Sequence, residues 1–226
     1  MSNKNYYSLI AFLFMIVNFE LIGQFNFQVG YDLAGIQCAH LNNILQQYQD
    51  QKTWMTDPIG KAKALNGIQA GIRYQKGDLA VLGTWRNKLA RIKGEGVDPI
   101  SNTSTSKELF YKLQSYMFGI ETRNYWLGVG ASIDYTLLGM KDRTSGDNSK
   151  IRVLNDHSWG SHFMLNFNMP TNGNLGICFQ LYYATQWQFF DIKPLADHLN
   201  IAIQPSNSQE KIDQFGVSII FNNGPQ

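Results

Sequence analysis

The segment "SWGSHF" holds the side chains in this chain that most resemble a hydrolytic pair, namely Ser158, Ser161 and His162. A serine acts as a nucleophile only when a base such as histidine lies within hydrogen-bond reach of its hydroxyl. Ser161 and His162 are consecutive, and consecutive side chains of a strand point to opposite faces. Ser158 and His162 share a face, but two strand steps and Gly160 separate them. The spacing therefore favours a structural histidine over a catalytic one.

The sequence contains no convincing motif for a metal site or a phosphate site. The other histidines, His40, His157 and His198, fall in segments predicted as loops, with no Cys or carboxylate at metal-ligand spacing. "DRTSGDNSK" resembles an acidic calcium loop but lacks the downstream acidic ligand. "GVGAS" lies inside a predicted strand and not between a strand and a helix, so it is no phosphate loop. We therefore predict no catalytic, cofactor-binding or metal-binding residue and no enzymatic activity.

The N-terminus carries the one pooled apolar run of the chain, "LIAFLFMIV" at 9–17, preceded by Lys4. This run is too short for the roughly 20 residues of a spanning helix and is typical of a secretory signal peptide. The small Gly23 is a suitable last residue before cleavage, so we predict a signal peptide over 1–23. Gln24 stands where a lipoprotein would have its cysteine, which argues against a lipid anchor. The alternatives are a buried N-terminal strand and an uncleaved anchor.

The stretch "YWLGVGASIDYTLLG" at 125–139 shows how the rest of the chain is built. Alternate residues form one apolar set, from Tyr125 to Leu137, and one polar, glycine-rich set that contains Gly128, Gly130 and Asp134. This period of two predicts a strand with one apolar and one polar face. The strand alone does not tell which face points inward.

Similar strands recur along the chain, and long and short connections alternate between them. The predicted strands cover 25–33, 65–74, 79–88, 109–120, 125–139, 158–168, 175–189 and 211–221. The first long connection contains "HLNNILQQYQ", in which Leu41, Ile44, Leu45 and Tyr48 have helical spacing. About eight strands, with long loops at one end and tight turns and both termini at the other, are typical of an outer-membrane barrel.

The polar face of the strands contains charges of both signs among Gly, Ser, Asn and Gln. A barrel of about eight strands has an interior only just wide enough for its own side chains, so these charges must pair within it. The predicted lumen network consists of Asp32, Arg73, Arg86, Lys88, Glu121, Asp134 and His162. We expect the acidic members to pair with Arg73, Arg86 and Lys88.

The apolar face carries aromatic residues near the strand ends, as at the two interfaces of a membrane. The predicted aromatic girdle consists of Tyr31, Tyr74, Trp85, Tyr125, Tyr135, Trp159 and Trp187. The alternative is a soluble, lipocalin-like barrel with its apolar face inside. Such a barrel would need many Lys and Glu outside for solubility, and the polar face lacks them.

Cys38 and Cys178 are the two cysteines of the chain. The strand map places them near opposite ends of the barrel, farther apart than the ~7 Å between Cα atoms that a disulfide tolerates. We predict two free thiols.

The last strand, "QFGVSIIF", resembles the C-terminal signal by which outer-membrane proteins are recognised for assembly. Gln214, Gly216, Ile219 and Phe221 carry this resemblance, and "NNGPQ" follows them as a short tail at 222–226. From Gln24 to Phe221 the chain resembles the small outer-membrane β-barrel domain family, similar in architecture to OmpA/OmpX-type barrels. The resemblance implies an all-β, antiparallel transmembrane barrel over 24–221, and it implies no catalytic or ligand residues.

These observations predict an integral protein of the Gram-negative outer membrane with a structural or interaction role carried by its long extracellular loops. The alternatives are a barrel subunit of an envelope secretion or motility machine, a lipid-modifying enzyme, and a soluble periplasmic lipid carrier. The expected partners are outer-membrane lipid, the barrel-assembly machinery during biogenesis, and an extracellular or envelope protein. The net charge of +2 and the lack of a basic aromatic cluster argue against nucleic acid.

Overall fold

Eight long antiparallel strands form the body of the protein. The computed structural model describes residues 24–97, 102–124, 126–145, 149–169 and 175–223. The barrel strands are β1 (Gln24–Gln37), β3 (Ala64–Lys76), β4 (Leu79–Val97), β5 (Ser104–Asn124), β6 (Leu127–Thr144), β7 (Ile151–Met169), β8 (Leu175–Gln186) and β11 (Asp213–Asn223). The predicted signal peptide at 1–23 lies outside the described residues.

The sheet closes on itself. The first strand pairs with the last, so that Val29 is opposite Phe221, and β4 pairs with β5 to complete the ring. A closed ring leaves no barrel strand with an unpaired edge, as a bilayer requires of a spanning sheet. The predicted all-β, antiparallel barrel of eight strands is confirmed.

The two ends of the barrel differ. At one end β3 and β4 are joined by a tight turn in which Gly77 has a φ of +59°, a value that glycine adopts at no steric cost. Both ends of the described chain, at Gln24 and Asn223, lie at this end, which we call the turn end. The connections 38–63 and 187–212 lie at the opposite end, the loop end, as the alternation of connection lengths predicts.

Strands β4 to β7 extend farther toward the loop end than predicted. Residues 89–97 and 104–108 form strand where the sequence indicated a Gly- and Ser-rich loop, and so do 140–144 and 151–157. The β4–β5 ladder continues without interruption to the pair Val97 and Ser104. Several inward side chains of these extensions and of the adjoining strand residues are apolar and buried in one core, which explains why the extensions are ordered as sheet: Ile92, Leu109, Tyr111, Leu138, Met140 and Leu154.

Short elements fold over the loop end of the barrel. They are α1 (Ala39–Gln51), β2 (Met55–Asp57), β9 (Phe190–Asp191), α2 (Lys193–His198), a 3-10 turn (Pro205–Asn207) and β10 (Gln209–Glu210). The predicted helix is confirmed, and its four apolar residues are all buried. We call residues 38–63 and 187–212 together the cap.

The outer surface of the barrel is apolar. Its exposed side chains include Phe27, Val29, Ile72, Phe118, Ile133, Phe163, Phe215 and Val217. An exposed apolar belt of this extent around a closed sheet marks a surface that contacts lipid. Within the described residues no helix is both long and apolar enough to cross a membrane.

Candidate functional site: a packed lumen beneath a closed cap

The lumen encloses a balanced set of charges. All seven residues of the predicted lumen network are buried, with no more than 3% of the surface of any of them exposed. Three are cations and three are carboxylates, so their formal charges cancel when His162 is neutral. A narrow interior tolerates buried charges only when they are paired and hydrogen-bonded.

Asp32 is the centre of the largest group of contacts. Its Oδ2 lies 3.5 Å from Arg86 Nη1 and 3.7 Å from Lys88 Nζ. The Tyr182 hydroxyl donates a hydrogen bond to Asp32 Oδ1 and accepts one from Lys88 Nζ at 2.8 Å. Lys88 also donates to Gln214 Oε1 at 2.7 Å. One carboxylate and one phenol thereby hold two cations of β4.

Tyr182 lies across the lumen and joins its two halves. Its ring stacks on His162 with centroids 4.6 Å apart, and the Arg86 guanidinium lies 4.5 Å from its centroid. Gly216 makes room for this ring, because an added Cβ there would lie 2.3 Å from Tyr182 Cζ. Alternation along the predicted strand 175–189 puts Tyr182 on the polar face, but it is not among the residues of the predicted lumen network. A lone large aromatic side chain among Gly, Ser and Gln was the signal for it.

The remaining lumen charges form two separate pairs. Arg73 Nε lies 3.3 Å from Glu121 Oε2, nearer the turn end. Asp134 Oδ2 lies 3.4 Å from His162 Nδ1, whereas we expected it to meet Arg73 or Arg86. The reason is local, because residues 134 and 162 project into the lumen from neighbouring strands β6 and β7.

Ser132, Asp134 and His162 bring the three residue types of a hydrolytic triad together, but in an unsuitable order. The Ser132 hydroxyl donates to Asp134 Oδ1 at 2.7 Å, so the carboxylate and not the imidazole accepts its proton. Ser161, the other candidate nucleophile, faces outward and accepts a hydrogen bond from Trp187 Nε1 at 2.9 Å. The barrel wall therefore separates Ser161 from His162, as the alternation predicts.

The space left in the lumen is small. A cavity of about 20 Å³ lies beside Arg73, Glu121 and Gln69. One water molecule needs roughly 10–15 Å³ by this measure, so the cavity has room for about one. The polar part of the lumen is filled by its own side chains.

Above this polar part, the inner face becomes an apolar core. The four apolar residues of α1 pack with Phe190, Ile192, Leu195 and Leu199 of the α2 segment and with the inward side chains of the strand extensions. Phe190, Leu195 and Ile212 are fully buried. The cap therefore closes the barrel with a continuous apolar core. Sequence analysis missed this core because it predicted one short helix in the first long connection and only a loop in the second.

Two carboxylates hold the cap together and fix it to the barrel. Glu210 Oε2 accepts a hydrogen bond from the Leu41 N–H at 2.7 Å, and burial raises the pKa of this carboxyl. Asp142 of β6 binds Lys107 of β5 and lies 2.7 Å from His198 Nε2 of α2. Both contacts join cap segments that are distant in sequence, or join the cap to the wall.

The Cys38 thiol, at the N-terminus of α1, is buried. Its Sγ donates a hydrogen bond to the Ala62 carbonyl at 3.2 Å, and burial raises its pKa to about 12. Cys178 is buried in the lumen and is also free, so the prediction of two free thiols is confirmed. Within the described residues no cluster of three or more His, Cys, Asp or Glu side chains could hold a metal ion.

The residues of the predicted aromatic girdle lie on the outer face, apart from Tyr125, which is outside the described residues. Tyr31 lies between Ile68 and Ile219, Tyr74 packs on Phe25 with centroids 4.8 Å apart, and Trp187 is exposed at the first residue of the second cap segment. Four aromatic side chains are cross-strand neighbours in a single line, Trp85, Tyr116, Tyr135 and Trp159, which we call the aromatic row. Tyr116 was not among the predicted girdle residues.

The residues of the predicted assembly signal lie on β11 and alternate as expected of a barrel strand. Gln214 and Gly216 face the lumen, where they contact Lys88 and Tyr182. Ile219 and Phe221 face outward and are part of the apolar belt. The strand itself continues to Asn223, two residues beyond the predicted boundary at 221.

No protein-family model matches the chain, and no curated protein matches it significantly. Among solved structures, Ail, the attachment invasion locus protein of Yersinia pestis, is 12% identical with a TM-score of 0.47, over 88% of this chain and 98% of Ail. The structure of Ail in complex with the heparin analogue sucrose octasulfate is 11% identical with a TM-score of 0.45, again over 88% of this chain and 98% of Ail. Neisserial surface protein A is 12% identical with a TM-score of 0.41, over 89% of this chain and 98% of its own.

The closed ring of eight antiparallel strands, the apolar exterior and the self-paired polar lumen are features of this chain itself. Together they are the architecture of a small outer-membrane β-barrel.

Proposed function

We propose that this protein is a non-enzymatic, non-conducting barrel of the outer membrane that presents the folded surface of its cap to an extracellular partner. The observation that carries the proposal is the apolar core that joins α1, α2 and the extended strands. Loops of an inert anchor have no need of such a core. A surface held in one conformation loses less entropy on binding than a mobile loop does.

The lumen supports the non-conducting part of the proposal. Its charges are paired with one another, its cavity admits about one water molecule, and the cap covers its outer end. Purified protein in a planar bilayer should give no ion conductance. Stable unitary currents from the wild-type protein would contradict the proposal.

The geometry of the serine and histidine residues favours a non-enzymatic role. Ser161 faces outward while His162 stacks on Tyr182 in the lumen, and Ser132 donates to Asp134. Overproduction of the protein should leave the acylation pattern of lipid A unchanged. A new or missing acyl chain in the mass spectrum, abolished by a His162 substitution, would indicate a lipid-modifying enzyme instead.

A photo-crosslinking experiment in intact cells tests where the partner lies. A photoreactive residue replaces Asn43 on α1 or Ser206 in the 3-10 turn, both exposed on the cap, or Lys76 at the turn end. We expect a specific adduct from one or both cap positions and none from position 76. An adduct from position 76 alone would place the partner in the periplasm and favour a subunit of an envelope machine.

A further inference from the structure

The outer face of β4 to β7 becomes cationic between the aromatic row and the rim of the loop end. Lys112 lies four residues beyond Tyr116 on β5, about 13 Å along the strand at roughly 3.3 Å per residue. Lys112 is paired with Gly139, and Lys141 is paired with Phe110 on one side and with Arg152 on the other. Lys150 lies 3.6 Å from the Phe110 ring centroid. We call Lys112, Lys141, Lys150 and Arg152 the cationic groove, since they line one depression with Leu89 and Leu137.

Within the described residues, none of these four cations has a carboxylate partner. Lys112, Lys141 and Arg152 are exposed and form no ion pair with any residue that the structure describes. The cations just beyond them are paired, since Arg91 and Arg143 both bind Glu108. Like charges directly opposite each other on neighbouring strands, as in Lys141 and Arg152, are destabilising. An external anion would remove this repulsion.

A second depression lies on the outer face of the barrel, on the side of the aromatic row that is nearer the turn end. It is lined by Ala70, Ile72, Gly83, Trp85, Tyr116 and Phe118, and it is almost entirely apolar. Gly83 creates it, because a Cβ at this outward position would meet only Ile72 Cγ1, at 3.5 Å. We call it the apolar groove. It reaches the aromatic row on β4 and β5, the same strands whose continuation lines the cationic groove.

We propose that the two grooves together bind one lipid of the outer leaflet that has a phosphorylated headgroup. The phosphate contacts Lys112, Lys141 and Arg152, and an acyl chain lies over Gly83 in the apolar groove. Lys and Arg are the side chains that bind phosphate through charge-assisted hydrogen bonds. Tyr and Trp mark the level where acyl chains meet headgroups, and the aromatic row lies between the two grooves. Charge complementarity and the continuity of the grooves both select an amphiphile of this kind.

Binding of hexa-acylated, diphosphorylated lipid A to the detergent-solubilised protein, measured by native mass spectrometry, tests the proposal. The variant Lys112→Gln/Lys141→Gln/Arg152→Gln should bind at least tenfold more weakly than the wild type. The matched control Lys61→Gln/Lys63→Gln/Lys211→Gln removes the same charge from exposed positions beside β3 and β11, and it should bind within twofold of the wild type. Equal weakening in both variants, or in neither, would overturn the proposal.

A separate variant tests the acyl chain. Gly83→Leu fills the apolar groove, and the open space around Gly83 allows it to fold, which heat-modifiable migration in a gel verifies. It should weaken lipid A binding severalfold while inorganic phosphate still competes at the same concentration as in the wild type. Unchanged lipid A binding by Gly83→Leu would overturn the placement of an acyl chain in the apolar groove. Wild-type binding of dephosphorylated lipid A as strong as that of the diphosphorylated form would equally refute the phosphate contact.

Discussion

Glu210 accepts a hydrogen bond from the Leu41 backbone N–H at 2.7 Å across 169 residues of sequence. The first N–H groups of a helix have no partner within the helix, and the side chain of Cys38, at the N-cap of α1, does not cap them. The Glu210 carboxylate supplies the missing acceptor, and a negative charge is also favourable at a helix N-terminus. This contact makes the docking of α1 depend on the far side of the cap.

Replacing Glu210 with alanine should loosen α1 without unfolding the barrel. A hydrogen bond to a charged group contributes about 1.5–3 kcal/mol, so the amides of α1 should exchange with solvent at least tenfold faster. Hydrogen exchange followed by mass spectrometry measures this, with the β5 and β6 amides as an internal reference. Asp197→Ala, which removes an exposed carboxylate from α2, is the matched control and should leave α1 protection unchanged. Equal effects of both variants would mean that the Leu41 contact has no special role.

The cap should be more stable in mild acid than at neutral pH. Burial raises the pKa of Glu210 above its ordinary 4.5, and this outweighs the opposite effects of the Leu41 N–H and of His40. A carboxyl whose pKa is raised in the folded state contributes stability below its unfolded pKa and loses it as pH rises through the folded value. The opening free energy of α1, from hydrogen exchange corrected for intrinsic rates, should therefore fall as pH rises from about 5 to 8.

The variant Glu210→Gln serves as the control for this pH dependence, because its side chain does not titrate. Glu108 would give a pH dependence of the opposite sign, because hydrogen bonds from Arg91 and Arg143 lower its pKa. Its contribution is lost only below its ordinary pKa, outside the chosen window. A wild-type slope that persists unchanged in Glu210→Gln would assign the pH dependence to another group.

Removing the charge of Asp32 should destabilise the barrel more than removing the Tyr182 hydroxyl. Asp32→Asn leaves Arg86 and Lys88 buried without their carboxylate, and breaking a buried pair in this way costs about 3–5 kcal/mol. Tyr182→Phe removes one donor and one acceptor and should cost about 1–3 kcal/mol. Urea unfolding in lipid vesicles measures both. Asp78→Asn, at the exposed turn between β3 and β4, is the control and should change stability little. A larger loss of stability in Tyr182→Phe than in Asp32→Asn would contradict the assigned roles.

The barrel could be predicted from sequence because alternation is a local signal that each strand repeats. The cap could not be predicted in this way, because the inward side chains change from polar to apolar along a single strand. On β5, Ser115 faces the polar lumen, while Leu113, Tyr111 and Leu109 on the same face lie in the apolar core. Gly and Ser nearby indicated a loop, whereas these side chains share one apolar core with those of α1, which lies far earlier in the chain.

Contacts across the lumen were beyond sequence analysis for a related reason. The set of buried charges follows from alternation, but which charge meets which depends on the stagger of strands around the ring. Asp32 of β1 reaches Arg86 and Lys88 of β4, although β3 lies between these strands.

The close approach of β3 to β4 should make Gly67 intolerant of a side chain. A Cβ at Gly67 would lie 1.9 Å from the Asn87 carbonyl oxygen, which is backbone and cannot rotate away. Gly67→Ala must therefore displace β4, at a cost on the order of 1–3 kcal/mol or more, and should lower the urea midpoint in vesicles. Gly83→Ala, on the opposite strand of the same ladder, adds the same methyl group to open space on the lipid side and should fold as the wild type does. If both variants had equally lowered urea midpoints, the close approach of β3 to β4 would not explain the destabilisation by Gly67→Ala.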